Sequence, residues 1–259
     1  MNFGRVLVVA TNVFREVIRD RVLYLIGLFA GVLLLSSVLL PEVAANNQNK
    51  MLVDVGLAAI SVAGLIVAIF VGTGLINKEI EKRTVFVLAA KPLTPSEFVL
   101  GKHIGLSMVL TVMVGAMAAI YMGLLTVQQI PFPMESIAIA TAFMILELMV
   151  IVAVALLFGV FTSSLLATIL TFAVYLVGHL SRDLIVLTNL SDNPRLERMF
   201  EITYMVLPDL SRLDFKNEAV YGMELLPKPL ELAGDAAYGV LYMVLLLAIA
   251  TIIFMRREF

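Results

Sequence analysis

Long uncharged runs, separated by short charged or proline-containing stretches, set the organisation of this chain. Apolar runs predict membrane-spanning helices at about 22–41, 55–77, 103–128, 136–161, 165–184 and 234–255. Each is near the roughly 20 residues that carry a helix across about 30 Å of hydrocarbon. "QQIPFP" ends the third run, where Pro131 and Pro133 oppose continuation, and "TSS" at 162–164 separates the fourth from the fifth. A helix satisfies its own backbone hydrogen bonds in lipid, and the alternation expected of a membrane β-barrel is missing. The expected fold class is an all-α membrane protein with six transmembrane helices in one domain, 1–259.

Three segments depart from that pattern. Residues 3–20 place Phe3, Val6, Leu7, Ala10, Val13, Phe14, Val17 and Ile18 at helical spacing, with Arg5, Asn12, Arg15, Glu16 and Arg19 facing the other way. This predicts an amphipathic helix lying in the membrane interface. Residues 185–233 form a long mixed loop. Asp192 or Asn193 as cap and Pro194 in the first turn begin a short helix there, which can lie against the bundle. The third segment is the elbow, 78–102, "KEIEKRTVFVLAAKPLTPSEFVLGK".

Composition agrees with a membrane class. The chain is 61% hydrophobic and 15% charged, with a mean hydropathy of +1.02, against about half apolar and a quarter charged for soluble domains. Its net charge of −2 gives no basic patch, so no nucleic-acid partner is expected. Cysteine is absent, which removes disulfides and thiolate chemistry, and only His103 and His179 offer imidazole. The charges of the N-terminal stretch are spread through it, unlike a signal peptide. Basic residues near span ends gather on one side: Arg5, Arg15, Arg19 and Arg21, then Lys78, Lys82, Arg83, Lys91 and Lys102, then Arg256 and Arg257. Both termini and the elbow are therefore expected in the cytoplasm of a cell-membrane protein, and loop 185–233 outside.

Within the elbow, Ile80, Val85, Leu88 and Ala89 can share one helical face, while Glu79, Lys82 and Arg83 lie around the other side. The Lys91-Pro92 step ends such a helix. Thr94 as N-cap, Pro95 in the first turn and Glu97 three residues beyond the cap then form a capping box leading into the third span. Connection alone needs two to eight residues, so two helices and a cap predict a docking surface. Glu79, Glu81 and Arg83 would supply its charge, and Val85, Phe86 and Leu88 would fill a groove.

The same residues carry a resemblance. Glu79, Glu81, Thr84, Pro92, Leu93, Glu97, Gly101 and Lys102, with the ending "FMRREF", resemble the pattern of permeases of the type-2 class of ATP-binding cassette (ABC) exporters. The subgroup nearest in flavour includes the permease for nitrous-oxide reductase maturation. The resemblance spans nearly the whole chain. It implies that Lys78 to about Ala90 is a coupling helix seated in a separate ABC ATPase, that ATP and Mg are bound by that partner, and that two permease subunits, identical or different, form the transporter.

The chain itself is expected to bind no nucleotide and to be no enzyme. A P-loop needs G-x-x-x-x-G-K-[ST], and the only Gly-Lys, Gly101-Lys102, is followed by His103 and lacks the earlier glycine. Hydrolase and metalloprotease motifs are missing as well. Glu147 is the acidic residue deep within a span, so it must face the interior, be protonated or have a partner. It is a candidate for the substrate path or a subunit contact, or a structural residue bonded to a nearby threonine or tyrosine. Arg182 and Asp183 read as an interfacial ion pair, His179 as a packing residue, and Gly72 and Gly74 as a site of close helix approach. The alternatives to an ATP-driven exporter are a secondary transporter, which should show more ionisable groups at midplane or broken helices, and a noncatalytic membrane scaffold, which needs no capped elbow.

Overall fold

A computed structural model of the chain describes residues 2–43, 48–81, 93–189, 198 and 205–256. Among these residues every regular element is helical. The eight helices are α1 (Phe3–Val17), α2 (Leu23–Val43), α3 (Gln48–Glu81), α4 (Pro95–Val127), α5 (Met134–Phe161), α6 (Ser164–Asn189), the short α7 (Lys216–Val220) and α8 (Pro229–Arg256). A π-helical turn, Ile18–Val22, joins α1 to α2, and a 3-10 turn, Leu210–Arg212, precedes α7. The segments Lys50–Asn77, Pro95–Val127, Met134–Phe161 and Pro229–Arg256 are long and apolar enough to cross a membrane. In α2 and α6 the apolar stretches Leu23–Leu39 and Ser164–Leu180 are shorter.

Helix α5 is the axis of the bundle. It is apolar all round, as a helix without a solvent face should be, and it packs on α3, α4, α6, α7 and α8. Val150, Ile151, Val152, Ala153, Val154 and Ala155 are consecutive and all buried. The outer helices instead keep one apolar face exposed: Leu28, Leu35 and Leu39 on α2, Leu165, Ile169 and Phe172 on α6, and Leu241, Val244 and Leu245 on α8. An exposed apolar face is costly in water and ordinary in lipid.

The amphipathic helix differs from its expectation. Its α-helical part ends at Val17, three residues short of position 20, because the chain winds into the π turn. Val6, Ala10, Val13 and Val17 pack on α4 instead of facing lipid, leaving Phe3, Leu7 and Val8 exposed. Two glycines one turn apart make this approach possible. A Cβ at Gly101 would stand 2.6 Å from the Val9 Cβ, and one at Gly105 would stand 2.7 Å from the Ala10 carbonyl oxygen. Close packing was expected at Gly72, where a Cβ would meet the Ala155 Cβ at 2.9 Å; the Gly101–Gly105 seam was not.

The segment before α8 also does more than lie against the bundle. Leu210, Leu213, Phe215 and Ala219 are buried in it. Phe215 packs edge-on against Phe143 of α5, with ring centroids 4.8 Å apart. Gly178 on α6 admits its backbone, since a Cβ there would lie 2.7 Å from the Pro208 carbonyl oxygen. Tyr238 of α8 accepts the Asp209 backbone N–H at 2.8 Å. The expected helix starting near Pro194 lies outside the described residues. Arg182 and Asp183 fall on α6, which continues to Asn189, and their side chains are likewise outside them.

Candidate functional site

Two groups of polar residues stand out, one at the elbow and one midway along the bundle. At the elbow, Thr94 caps α4: its hydroxyl accepts the Glu97 backbone N–H at 3.3 Å, and Glu97 Oε2 accepts the Thr94 N–H at 3.0 Å. Pro95 occupies the first turn, where its missing N–H leaves no donor unpaired. Glu97 is 1% exposed because α1 covers it. Its Oε1 accepts the Asn2 backbone N–H at 2.5 Å, and Arg5 approaches Oε2 at 3.8 Å. One carboxylate thereby caps α4 and holds the start of α1.

One turn and a half further on, the Lys102 ammonium donates to Glu79 near the end of α3. Lys102 is buried and also lies 5.4 Å from the centroid of Phe98, which stacks on Phe254 of α8 at 5.5 Å. The two strands of the elbow are thus tied together at their bases, on a layer that includes α1 and α8. Beside it, Asn2, Gly4, Arg5, Val8, Val9, Asn12 and Leu93 line an open cleft of about 460 Å3. Residues through Glu81 continue α3 without a break, so the first part of the expected coupling helix belongs to the second span. The Glu81 side chain, and Arg83, Val85, Phe86 and Leu88, lie outside the described residues.

Glu147 sits midway along α5, roughly 20 Å from either end at 1.5 Å per residue. It is 1% exposed, and where the structural alternative put a threonine or tyrosine beside it, His179 of α6 stands. His179 Nε2 lies 3.2 Å from Glu147 Oε1 and 3.4 Å from Asp214 Oδ2, while Nδ1 donates to the Tyr175 carbonyl at 3.1 Å. Neither Glu147 oxygen has a well-aligned hydrogen bond, and His179 Nε2 has none either. Lys216 completes the group: its ammonium donates to Ser61 of α3 at 2.9 Å and stands 3.2 Å from Asp214 Oδ2. Burial raises the Asp214 carboxyl, but the close approach of His179 and the charge of Lys216 reverse this and hold it below the ordinary value. Burial likewise lowers the Lys216 ammonium, and the carboxylates of Glu147 and Asp214 bring it above its usual range.

Asp214, Lys216, Ser61 and Tyr175 were missed in the sequence. The available signal was the run "LSRLDFKNEAV", in which apolar Leu210, Leu213, Phe215, Ala219 and Val220 alternate irregularly with charges. That is the pattern of a segment with one buried side.

A family model described as ABC-2 family transporter protein matches residues 7–259. No curated protein matches the chain. The bundle of apolar helices, the exposed apolar faces at its periphery and a family match over nearly its full length lead to one assignment: the chain belongs to the ABC-2 family of transporter proteins, as a multi-pass permease that is not itself a catalytic enzyme.

Proposed function

We propose that the chain is the membrane subunit of an exporter, driven by a separate ABC ATPase that grips elbow 78–102. Permeases of this family normally work with such a partner, and ATP and Mg belong to it. In this reading α2, α3, α4, α5, α6 and α8 are the six spans. Both termini and the elbow face the cytoplasm, the membrane is the cell membrane, and a second permease subunit, identical or different, completes the transporter. The elbow pattern favours the subgroup that includes the nitrous-oxide reductase maturation permease, with Thr94 or Pro95 where many members carry arginine.

The observation that carries the reading is the bracing of the elbow's base. Nucleotide-driven closure does work on the spans only through an element that does not absorb the motion. Glu79 and Lys102 link α3 to α4, and Glu97 links α4 to α1. A push on the elbow therefore reaches three helices together. The cleft lined by Arg5, Asn2 and Asn12 widens the surface offered to a partner. Phe86 is the expected anchor, since aromatic residues dominate hot spots, with Glu81 as the charged contact.

The experiment is co-purification of the ATPase with variants of the permease. Phe86→Ala and Glu81→Arg should leave the permease folded in the membrane and weaken ATPase recovery. Full recovery and full turnover with both variants would make 78–102 a plain connector and remove the coupling reading.

A further inference from the structure

Donor and acceptor chemistry fixes how many protons the mid-bundle group must hold. The Tyr175 carbonyl only accepts, so His179 Nδ1 must carry a hydrogen to bond it. Nε2 then faces oxygens of Glu147 and Asp214 at 3.2 and 3.4 Å. With a bare lone pair on Nε2 and both carboxyls ionised, three acceptors would crowd one point inside the bundle, so one hydrogen must stand between Nε2 and the carboxyl oxygens. With a proton on Nε2, His179 is a cation between two carboxylates, and the charges of Glu147, Asp214, His179 and Lys216 sum to zero. A neutral set is what a buried site favours.

From this geometry we infer that Glu147, His179 and Asp214 form a proton-binding site in the middle of the bundle, and that its proton fastens the segment 209–220 into place. Asp214 and Lys216 come from that segment, Glu147 from α5, His179 and Tyr175 from α6, and Ser61 from α3. Among the described residues, Tyr175, Asp214, Lys216 and Glu147 are the titratable groups that face His179. Without the proton, Glu147 and Asp214 confront each other with only Lys216 to offset them, and the segment carrying Asp214 is pushed away.

An apolar plug would hold the same place more firmly, because replacing a buried ion pair by well-packed hydrophobic residues is commonly neutral or stabilising. A fastening made of charge has a property an apolar plug lacks: the loss of a single proton undoes it. Next to His179, the absence of a side chain at Gly178 lets the Pro208 backbone approach α6 closely. The site works as a catch that holds segment 209–220 to the bundle, and it stands whether or not the elbow binds an ATPase.

The chain has two histidines and no cysteine, which makes the test direct. Histidine-selective 15N NMR of the full chain in lipid nanodiscs should show, at neutral pH, one imidazole with both nitrogens protonated. Glu147→Gln combined with Asp214→Asn should return it to the neutral form. Separately, Ala219→Cys places a thiol in the buried face of the segment, and Ala153→Cys places one in the axis of the bundle. At one fixed pH, His179→Gln should speed maleimide labelling at position 219 by at least about tenfold, as expected for a local opening, and leave position 153 unchanged. Two neutral histidines in the unsubstituted chain, an unchanged rate at 219, or equal acceleration at 219 and 153 would each overturn the proposal.

Discussion

The polar groups at the elbow and at mid-bundle are built on opposite plans. At the elbow, the central carboxylate Glu97 bonds to a cap three residues away and to the backbone start of a helix laid over it. Its charge is satisfied by N–H donors, the ordinary chemistry of a helix N-terminus. At mid-bundle, Glu147, His179, Asp214 and Lys216 come from three separate parts of the chain and meet side chain to side chain. No backbone N–H bonds the Glu147 carboxylate, so that cluster holds together only while all its members are present. The elbow should degrade gradually under substitution, whereas the cluster should fail at the first loss.

Lys216→Met gives the largest expected effect. It leaves one negative charge of the cluster uncompensated and should cost about 3 kcal/mol, the low end for buried pairs broken on one side, because Asp214 and Lys216 are partly exposed. Adding Glu147→Gln should recover much of that loss in thermal unfolding followed by circular dichroism. Strict additivity of the two substitutions would show that the charges do not act together. Next, Gly105→Ala should cost about 1–3 kcal/mol by overpacking, because its Cβ meets backbone at Ala10 and cannot be accommodated by a rotamer change. Disulfide cross-linking between cysteines placed on α1 and α4 would report the displaced seam. Thr94→Ala removes one cap bond of the elbow and should cost about 1 kcal/mol, read from the same melting curves. If it matched Lys216→Met, the contrast between the two regions would collapse. Arg5→Ala should be smallest, below about 1 kcal/mol, since that side chain is well exposed and 3.8 Å from Glu97.

How much of this was legible in the sequence follows the same division. The apolar runs and the Thr94–Pro95–Glu97 signature are local, so periodicity and spacing suffice to read them. That α1 would turn its Val6–Ala10–Val13 stripe to α4 instead of lipid was not readable from α1, because the deciding feature is the absence of side chains at Gly101 and Gly105 on another helix. Glu147 announced itself as a charge needing a partner. Its partner was hidden because the residues between α6 and α8 read as a long mixed loop: the irregular apolar positions of 210–220 mark one buried side, but not that Asp214 and Lys216 would be drawn in with it. The residues expected to fill the ATPase groove, from Arg83 to Leu88, lie outside the described residues.

The π-helical turn at Ile18–Val22 gives the chain a place to hold slack. A π turn accommodates one residue more than an α-helix would over the same stretch. Removing one residue elsewhere in a continuous helix swings everything beyond it by about 100° around the axis, given 3.6 residues per turn. Removing one here would let the turn relax to α geometry, with Val6, Ala10 and Val13 still against α4 and Phe29 and Leu33 still directed inward. Gene-length drift of one codon at this joint is therefore absorbed as a change of pitch, while the same drift a turn earlier would unseat α1 from its glycine seam.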